Sequence, residues 1–269
     1  MLPKSDVHIV LGDESTPDSK GGTPFYVYAC VAIPGENFHE LNQRISEIRN
    51  ENDIADDRYL KFALADKGDT PERVWIKVRY EILEIAVKLG SMCVISYCHK
   101  GIRADPNPAN SIRILRNRAI SQVSTLMQEL DSCASIFLDQ IGDKNEHATI
   151  RDLATRGFSI TATKRQVLLP RIHAVGITAS QSTPALCLPD YCAGLFNFWR
   201  SEKQTNEKRQ VAIKNLAPIL WTTSSPKLTA SGYGLVQSPE KIYNPDLTEP
   251  YRAVHTELDE FLQQNPTQE

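Results

Sequence analysis

Two apolar stretches of the chain are each followed by carboxylates. Residues 7–11 precede Asp13 and Glu14, and residues 134–138 precede Asp139. Strand-forming residues dominate both stretches, so each predicts a short buried strand. Acids that a strand delivers to the edge of a sheet can hold a divalent cation or act as a general base. Taken alone, the first acidic pair is more typical of a polar turn, because such side chains bond readily to turn backbone.

A further carboxylate, Asp190, follows Pro189, a residue that fits the first turn of a helix. Aspartate at a helix start often only complements the helix dipole. If this helix packs on the predicted sheet, however, Asp190 can approach Asp13 and Asp139. Converging carboxylates need a counter-charge, and Mg²⁺ or Mn²⁺ prefers oxygen ligands. Two such ions about 4 Å apart could clamp the attacking and leaving oxygens of a phosphoryl displacement.

Hydrophobic periodicity and turn residues predict the elements that would position these acids. The close spacing of the first two strands predicts an antiparallel hairpin, and the later alternation of strands and helices predicts parallel crossovers. The predicted fold class is therefore α/β, with one mixed sheet, and residues 161–166 are predicted to form a basic loop. The predicted strands cover residues 7–11, 25–33, 92–98, 134–139 and 171–177, and the predicted helices cover residues 36–50, 70–90, 108–131, 143–157, 189–199, 206–220 and 254–262.

Composition limits the class of protein. The chain has 269 residues, of which 41% are hydrophobic and 23% charged, enough for a large core. A net charge of −3 argues against a strongly cationic surface but still allows a local basic groove for nucleic acid. The sequence contains no apolar run of membrane-spanning length and no signal peptide, so a cytoplasmic protein is expected. Because polar residues dominate after residue 200, we predict a main domain over 1–200 and a helical extension over 201–269.

The six cysteines show neither C-x-x-C pairs nor zinc-ligand spacing, so reduced and mostly buried thiols are expected. A cysteine nucleophile with His99 or His173 as base stays open, although no local sequence supports it. A serine hydrolase is disfavoured because the chain has no G-x-S-x-G elbow. An aspartyl-phosphate phosphatase is disfavoured because Ser15 stands where that chemistry needs a second aspartate.

Four short motifs, taken in order, resemble the domain of unknown function 3800 (DUF3800) family over about residues 7–200. They are Asp13-Glu14-Ser15, Leu60-Lys61-Phe62, Phe137-Leu138-Asp139 and Leu186-Cys187-Leu188-Pro189-Asp190-Tyr191-Cys192-Ala193-Gly194. The resemblance implies a ribonuclease H-like mixed β-sheet flanked by helices and a metal-dependent nuclease of prokaryotes and their mobile elements. The chain departs from the family pattern at Thr16, Cys187 and Pro189, where the family has Gly, Gln and Ala.

The resemblance also implies roles for individual residues. Asp13, Glu14, Asp139 and Asp190 would form the catalytic acidic site, and all of them except Glu14 would bind Mg²⁺ or Mn²⁺. Lys61 would assist electrostatically, although on its own it is more typical of a surface lysine. Glu14 stays undecided, because adjacent residues on a strand point to opposite faces.

The expected substrate is a phosphodiester of DNA or RNA. Lys164, Arg165, Arg171 and Arg113 are candidates for holding the strand, whereas the arginines of the third helix (Arg113, Arg116 and Arg118) are more typical of a solvated face. The alternative is a non-catalytic nucleic-acid-binding or protein-interaction module on the same fold, in which the acids serve as caps and turn residues. The oligomeric state stays open.

Overall fold

A six-stranded mixed sheet forms the centre of the protein, with strand order β7-β4-β1-β2-β3-β8. The computed structural model describes residues 6–17, 22–55, 58–63, 70–102, 108–139, 144–160, 165–179, 183–223 and 228–265. A separate two-stranded sheet joins β5 and β6. The strands are β1 Val7–Ser15, β2 Phe25–Pro34, β3 Met92–His99, β4 Cys133–Asp139, β5 Phe158–Ile160, β6 Arg165–Val167, β7 Ile172–Thr178 and β8 Leu235–Gln237.

The predicted mixed sheet is confirmed. Strand β2 pairs antiparallel with β1 on one side and with β3 on the other, whereas β4 runs parallel to both β1 and β7. Almost every residue of β2 is buried, as expected for a central strand that is covered on both faces. The hairpin places β1 in the middle of the sheet, so the acids of β1 and β4 lie on neighbouring strands.

Helices cover both faces of the sheet, as predicted for this α/β chain. One face packs against α3 and α4 around Val10, Ile136 and Leu138. The other face, which carries Leu11 and Val27, packs against α1, α2 and α5 to α7. The helices are α1 Phe38–Glu51, α2 Glu72–Lys88, α3 Pro108–Glu129, α4 Lys144–Arg156, α5 Cys187–Trp199, α6 Asn206–Leu216 and α7 Pro245–Gln264.

The segment after residue 200 shares the core of the main sheet. Strand β8 pairs in parallel with β3, and α7 buries Tyr251, Val254 and Leu258 in the same cluster as Leu11. With only three residues, β8 is too short to be recognised from sequence periodicity. The domain boundary at residue 200 stays a prediction. Among the described residues, no helix combines the length and apolarity that crossing a bilayer requires.

Two predicted boundaries near the acids were wrong. Strand β1 does not stop before Asp13, because the backbone continues to pair with β2 as far as Ser15. Helix α5 begins at Cys187 rather than at Pro189, so Asp190 is its fourth residue and still lies in the first turn. A short 3-10 turn at Pro184–Leu186 leads directly into it.

Other differences concern basic and capping residues. Arg165 and Gln166 belong to β6, which pairs with β5, so the predicted loop was wrong for these two residues, and Thr161 to Lys164 lie outside the described residues. Arg116 is buried rather than exposed, at 1% exposure. Helix α2 follows Pro71 without the predicted side-chain cap from Thr70. Asp143 of the capping box predicted for α4 also lies outside the described residues.

The cysteines are all free, and only Cys133 is not fully buried. Burial raises the pKa of Cys30 to about 12 and raises that of Cys187 as well. A thiol that stays protonated near neutral pH is a poor nucleophile. The thiols of these two residues are therefore not suited to the cysteine chemistry left open by the sequence.

Candidate active site

The carboxylates of Asp13 and Asp139 both contact the ammonium group of Lys61. Because Gly12 of β1 pairs with Leu138 of β4, the two aspartates follow at the same level of adjacent parallel strands. They share the face that carries Leu11. The Nζ of Lys61 lies 3.3 Å from Asp13 Oδ2 and 3.4 Å from Asp139 Oδ2. These three residues, all predicted from the sequence, therefore form one charged cluster.

Burial dominates the electrostatics of this cluster. Asp13 is 7% exposed, and burial raises the pKa of its carboxyl to about 7. The Lys61 ammonium opposes that shift, whereas the Asp190, Glu14 and Asp139 charges add to it. Burial lowers the pKa of Lys61, but the surrounding aspartates outweigh it, so the pKa is raised and the side chain stays cationic. One lysine thus faces several carboxyl groups, of which Asp13 and Asp190 both have raised pKa values.

Asp190 enters the cluster from α5. Its Oδ2 accepts a hydrogen bond of 2.5 Å from the backbone N–H of Phe62, the residue after Lys61. Burial raises the pKa of Asp190, and the Phe62 N–H, Lys61 and Arg79 oppose that shift. Asp190 therefore anchors the segment that carries the lysine.

Helix α2 holds the same segment from the other side. Trp75 Nε1 donates to the carbonyl of Lys61 at 3.0 Å, and Arg79 Nη2 donates to the carbonyl of Phe62 at 2.6 Å. The Arg79 guanidinium also lies 4.0 Å from the centroid of the Phe62 ring, a cation–π contact. Sequence reasoning missed both supports. The signal available in the sequence was an arginine four residues after Trp75, on the apolar face of α2; in the structure Arg79 is buried there.

Gly194 provides the space that the Phe62 ring fills. A Cβ built on Gly194 would lie 2.1 Å from Phe62 Cγ, which is far inside van der Waals contact. Asp190 and Gly194 are four residues apart and therefore share one face of α5. One helix face thus supplies both the carboxylate that binds the Phe62 N–H and the notch that receives its ring.

The remaining predicted residues lie elsewhere. Glu14 is exposed on the opposite face of β1, where its partner in the ladder is Tyr28. Arg113 bonds to Asn110 on α3, which covers that opposite face. The other basic candidates do not join the acids either: Arg171 pairs with Asp131 at 3.1 Å, Arg165 is exposed on β6, and Lys164 lies outside the described residues.

The donor chemistry of the cluster suits a hard divalent cation, since its ligands are carboxylate oxygens. The buried Asp13 supports this, because the pKa of its carboxyl is raised even beside Lys61. Within the part of the chain that the structure describes, however, no group of three His, Cys, Asp or Glu side chains has a metal-holding arrangement. Lys61 lies between Asp13 and Asp139, while Asp190 is bonded to the Phe62 N–H. Asp13 and Asp139 are therefore the two residues whose carboxylate oxygens the fold directs at one positively charged group.

Comparison with known proteins gives similarity at the level of the fold. No protein-family model and no curated protein matches the chain. Among solved structures, it is similar to Bst-RNase HIII in complex with Mn²⁺, at 9% identity and a TM-score of 0.38 over 80% of this chain. The RNase HII of the PCNA:RNase HII complex from Archaeoglobus fulgidus matches at 14% identity and a TM-score of 0.35, covering 90% of this chain and 99% of that one. The chain spans 62% of the RNase HIII chain. With TM-scores this low, the similarities assign neither an activity nor a ligand.

Proposed function

We propose that this protein is a Mg²⁺- or Mn²⁺-dependent nuclease of the DUF3800 family that hydrolyses a phosphodiester of DNA or RNA. The observation that carries the proposal is the convergence of Asp13 and Asp139 on one cation. A buried aspartate beside a second, partly buried one on the adjacent strand is costly unless a positive charge is supplied. Lys61 supplies one such charge, and a nuclease metal would supply more.

The residues would divide the work as follows. Asp13 and Asp139 would hold the metal, and Asp190 would be the third acid beside them. A bound Mg²⁺ or Mn²⁺ would supply Lewis-acid stabilisation of the phosphate and lower the pKa of water. Lys61 would place its ammonium against the charge that develops on the phosphate oxygens. Asp190, through the Phe62 N–H, would keep that lysine in position.

A non-catalytic module on the same fold is the second candidate. The ion pairs of Lys61 with Asp13 and Asp139 favour it, because they compensate part of the acidic charge without a metal. In that case the cluster would hold the segment around residue 61 onto the sheet, and any nucleic acid or protein partner would be bound without hydrolysis.

A hydrolysis assay separates the two candidates. Wild type and Asp139→Asn are incubated with labelled single-stranded and duplex DNA, RNA and hybrid, with Mg²⁺, Mn²⁺ or EDTA. We expect cleavage by wild type that EDTA abolishes and that Asp139→Asn lowers at least 100-fold. Asp152→Asn is the matched control, because Asp152 is a half-exposed aspartate of α4 that pairs with Arg156.

Calorimetric titration with Mn²⁺ gives a readout that does not depend on finding the substrate. We expect wild type and Asp152→Asn to bind Mn²⁺ alike and Asp139→Asn to bind it at least tenfold more weakly. Equal cleavage and equal Mn²⁺ binding by wild type and Asp139→Asn would refute the nuclease proposal. Absence of both activities from wild type would favour the non-catalytic module.

A further inference from the structure

A cleft of about 290 Å³ opens beside the acidic cluster. Its walls come from the end of β1, from residues just before β2, from the segment of Phe62, and from the end of α5 with the residues that follow it. Most of its polar lining consists of hydroxyl and amide side chains, which suit a neutral, hydrogen-bonding ligand better than a metal ion. These polar residues are Ser15, Thr16, Thr23, Asn197, Ser201 and Gln204.

The cleft is continuous with the candidate active site. Ser15 follows Asp13 by two residues on β1, so the two side chains share a face and their Cα atoms are about 7 Å apart. Phe62 belongs to both sites, since its ring lines the cleft while its N–H donates to Asp190. A ligand in the cleft would therefore lie about one monomer unit of a polymer from the acids.

Asn197 is a buried polar residue in the lining of this cleft. The residue is 3% exposed, and its Nδ2 donates to Ser15 Oγ at 2.9 Å. Among the described residues, its Oδ1 has no hydrogen-bond partner. Because the amide donates to Ser15, the hydroxyl oxygen of Ser15 acts as acceptor there and its own proton is directed elsewhere. Asn197 is thus a positioning residue that fixes how Ser15 presents its hydroxyl to the cleft.

Two further features match a nucleoside in particular. The rings of Phe62 and Phe198, 6.2 Å apart in an edge-to-face arrangement, give the cleft an apolar aromatic wall. Bases stack on aromatic side chains with little regard to sequence. The Lys203 side chain lies at the rim beside Gly22, where a Cβ would be 3.3 Å from Lys203 Cδ. A ring wall, polar edge groups and a cation at the rim correspond to the base, the sugar and the phosphate of a nucleotide.

We propose that this cleft binds one unpaired nucleoside of the nucleic-acid substrate, next to the phosphodiester whose hydrolysis the acids promote. The proposal rests on the proposed nuclease function and adds a substrate class to it. The cleft volume suits one nucleoside and is far too small for a duplex. The preferred substrate is therefore a single strand, or a strand with an unpaired nucleotide at the cleavage point.

Filling the cleft tests the proposal. Gln204→Trp places a large ring at the half-buried rim, and Gln128→Trp on the exposed side of α3 is the matched control on the other face of the sheet. With single-stranded oligonucleotides, we expect Gln204→Trp to raise KM at least tenfold with a smaller change in kcat. Ser15→Ala should raise KM about fivefold, and Gln128→Trp should match wild type. Equal KM values for the Gln204→Trp and Gln128→Trp proteins would overturn the proposal.

Saturation-transfer NMR with adenosine and uridine 5′-monophosphates separates failure of the cleft from failure of the nuclease. Transfer to the base protons in wild type and its loss in Gln204→Trp would support the cleft even if no substrate is cleaved. Cleavage by wild type without transfer, and with unchanged KM in Gln204→Trp, would refute the cleft while the nuclease proposal stands. A preference for duplex over single-stranded substrate would also refute it.

Discussion

Replacing Gly194 with alanine tests how α5 holds the Phe62 segment. The added Cβ would lie 2.1 Å from Phe62 Cγ and 2.5 and 2.6 Å from its two Cδ atoms. Carbon atoms in contact are separated by about 3.5–4.0 Å, so the ring must move by roughly 1.5 Å. Arg79 lies 4.0 Å from the ring centroid and limits that movement. Overpacking of this kind costs about 1–3 kcal/mol, against a helix-propensity gain of about 1 kcal/mol for Gly→Ala.

We therefore expect Gly194→Ala to lower the free energy of unfolding by up to about 2 kcal/mol, measured by urea denaturation at pH 7.5. Gly176→Ala is the matched control, because a Cβ there would meet Phe137 Cδ1 at 3.6 Å, an ordinary contact. That control should be neutral or stabilise by up to about 1 kcal/mol, since glycine weakens a strand interior.

A double-mutant cycle with Phe62→Leu identifies the cause. A smaller side chain at position 62 removes part of the clash, so Gly194→Ala should cost less in the Phe62→Leu background. We expect a coupling energy of about 1 kcal/mol or more between the two changes. Movement of the ring also shifts the Phe62 N–H away from Asp190, so hydrolysis should fall by more than stability explains. A coupling energy near zero between the two changes would refute the proposed packing.

Three more perturbations follow from the same structure. Lys61→Met removes the ammonium shared by two aspartates and should cost about 1–2 kcal/mol in divalent-free buffer by urea denaturation, reduced for partial exposure; an unchanged midpoint would contradict the ion pairs. Burial lowers the pKa of His8, against the opposing effect of Glu36. The contribution of neutral His8 to the free energy of unfolding is therefore complete above its unfolded pKa of about 6.5. It is lost as the pH falls, because the unfolded state binds the proton more tightly than the folded state does. His8→Gln should flatten the decline in urea midpoint between pH 7 and 5, and an equally steep decline would rule this out. Arg79→Lys keeps the charge but loses the fixed donor geometry at the Phe62 carbonyl. The rate of hydrolysis should therefore fall while the melting temperature changes little.

The sequence predicted which acids come together but not where their elements begin and end. Asp13 and Asp139 were identified because each follows an apolar strand, and that pattern is local. The continuation of β1 through Asp13 depends on its partners Ala29, Tyr28 and Val27 in β2. Pairing between strands is a tertiary interaction, so turn-forming side chains gave the wrong strand end.

Residues that support the site were harder to find than those that form it. Trp75 and Arg79 act through backbone carbonyls of residues 61 and 62, and a carbonyl leaves no trace in the sequence. Arg116 was misplaced for a related reason, since periodicity treats every arginine as exposed although this one is buried between α3 and the sheet. The notch at Gly194 depends on a ring that arrives from a distant segment.

The parallel pairing of β1 with β4 also has a consequence for the order of assembly. The β1–β2 hairpin joins residues that are close in the chain, and such local contacts form at low entropic cost. The acidic cluster exists only after β4, far away in sequence, docks beside β1. Apolar residues of β4 pack with α3 and α4 in one buried cluster, and that burial offsets the repulsion between the aspartates. A chain that has folded only its first hairpin therefore has Asp13 without Asp139 beside it.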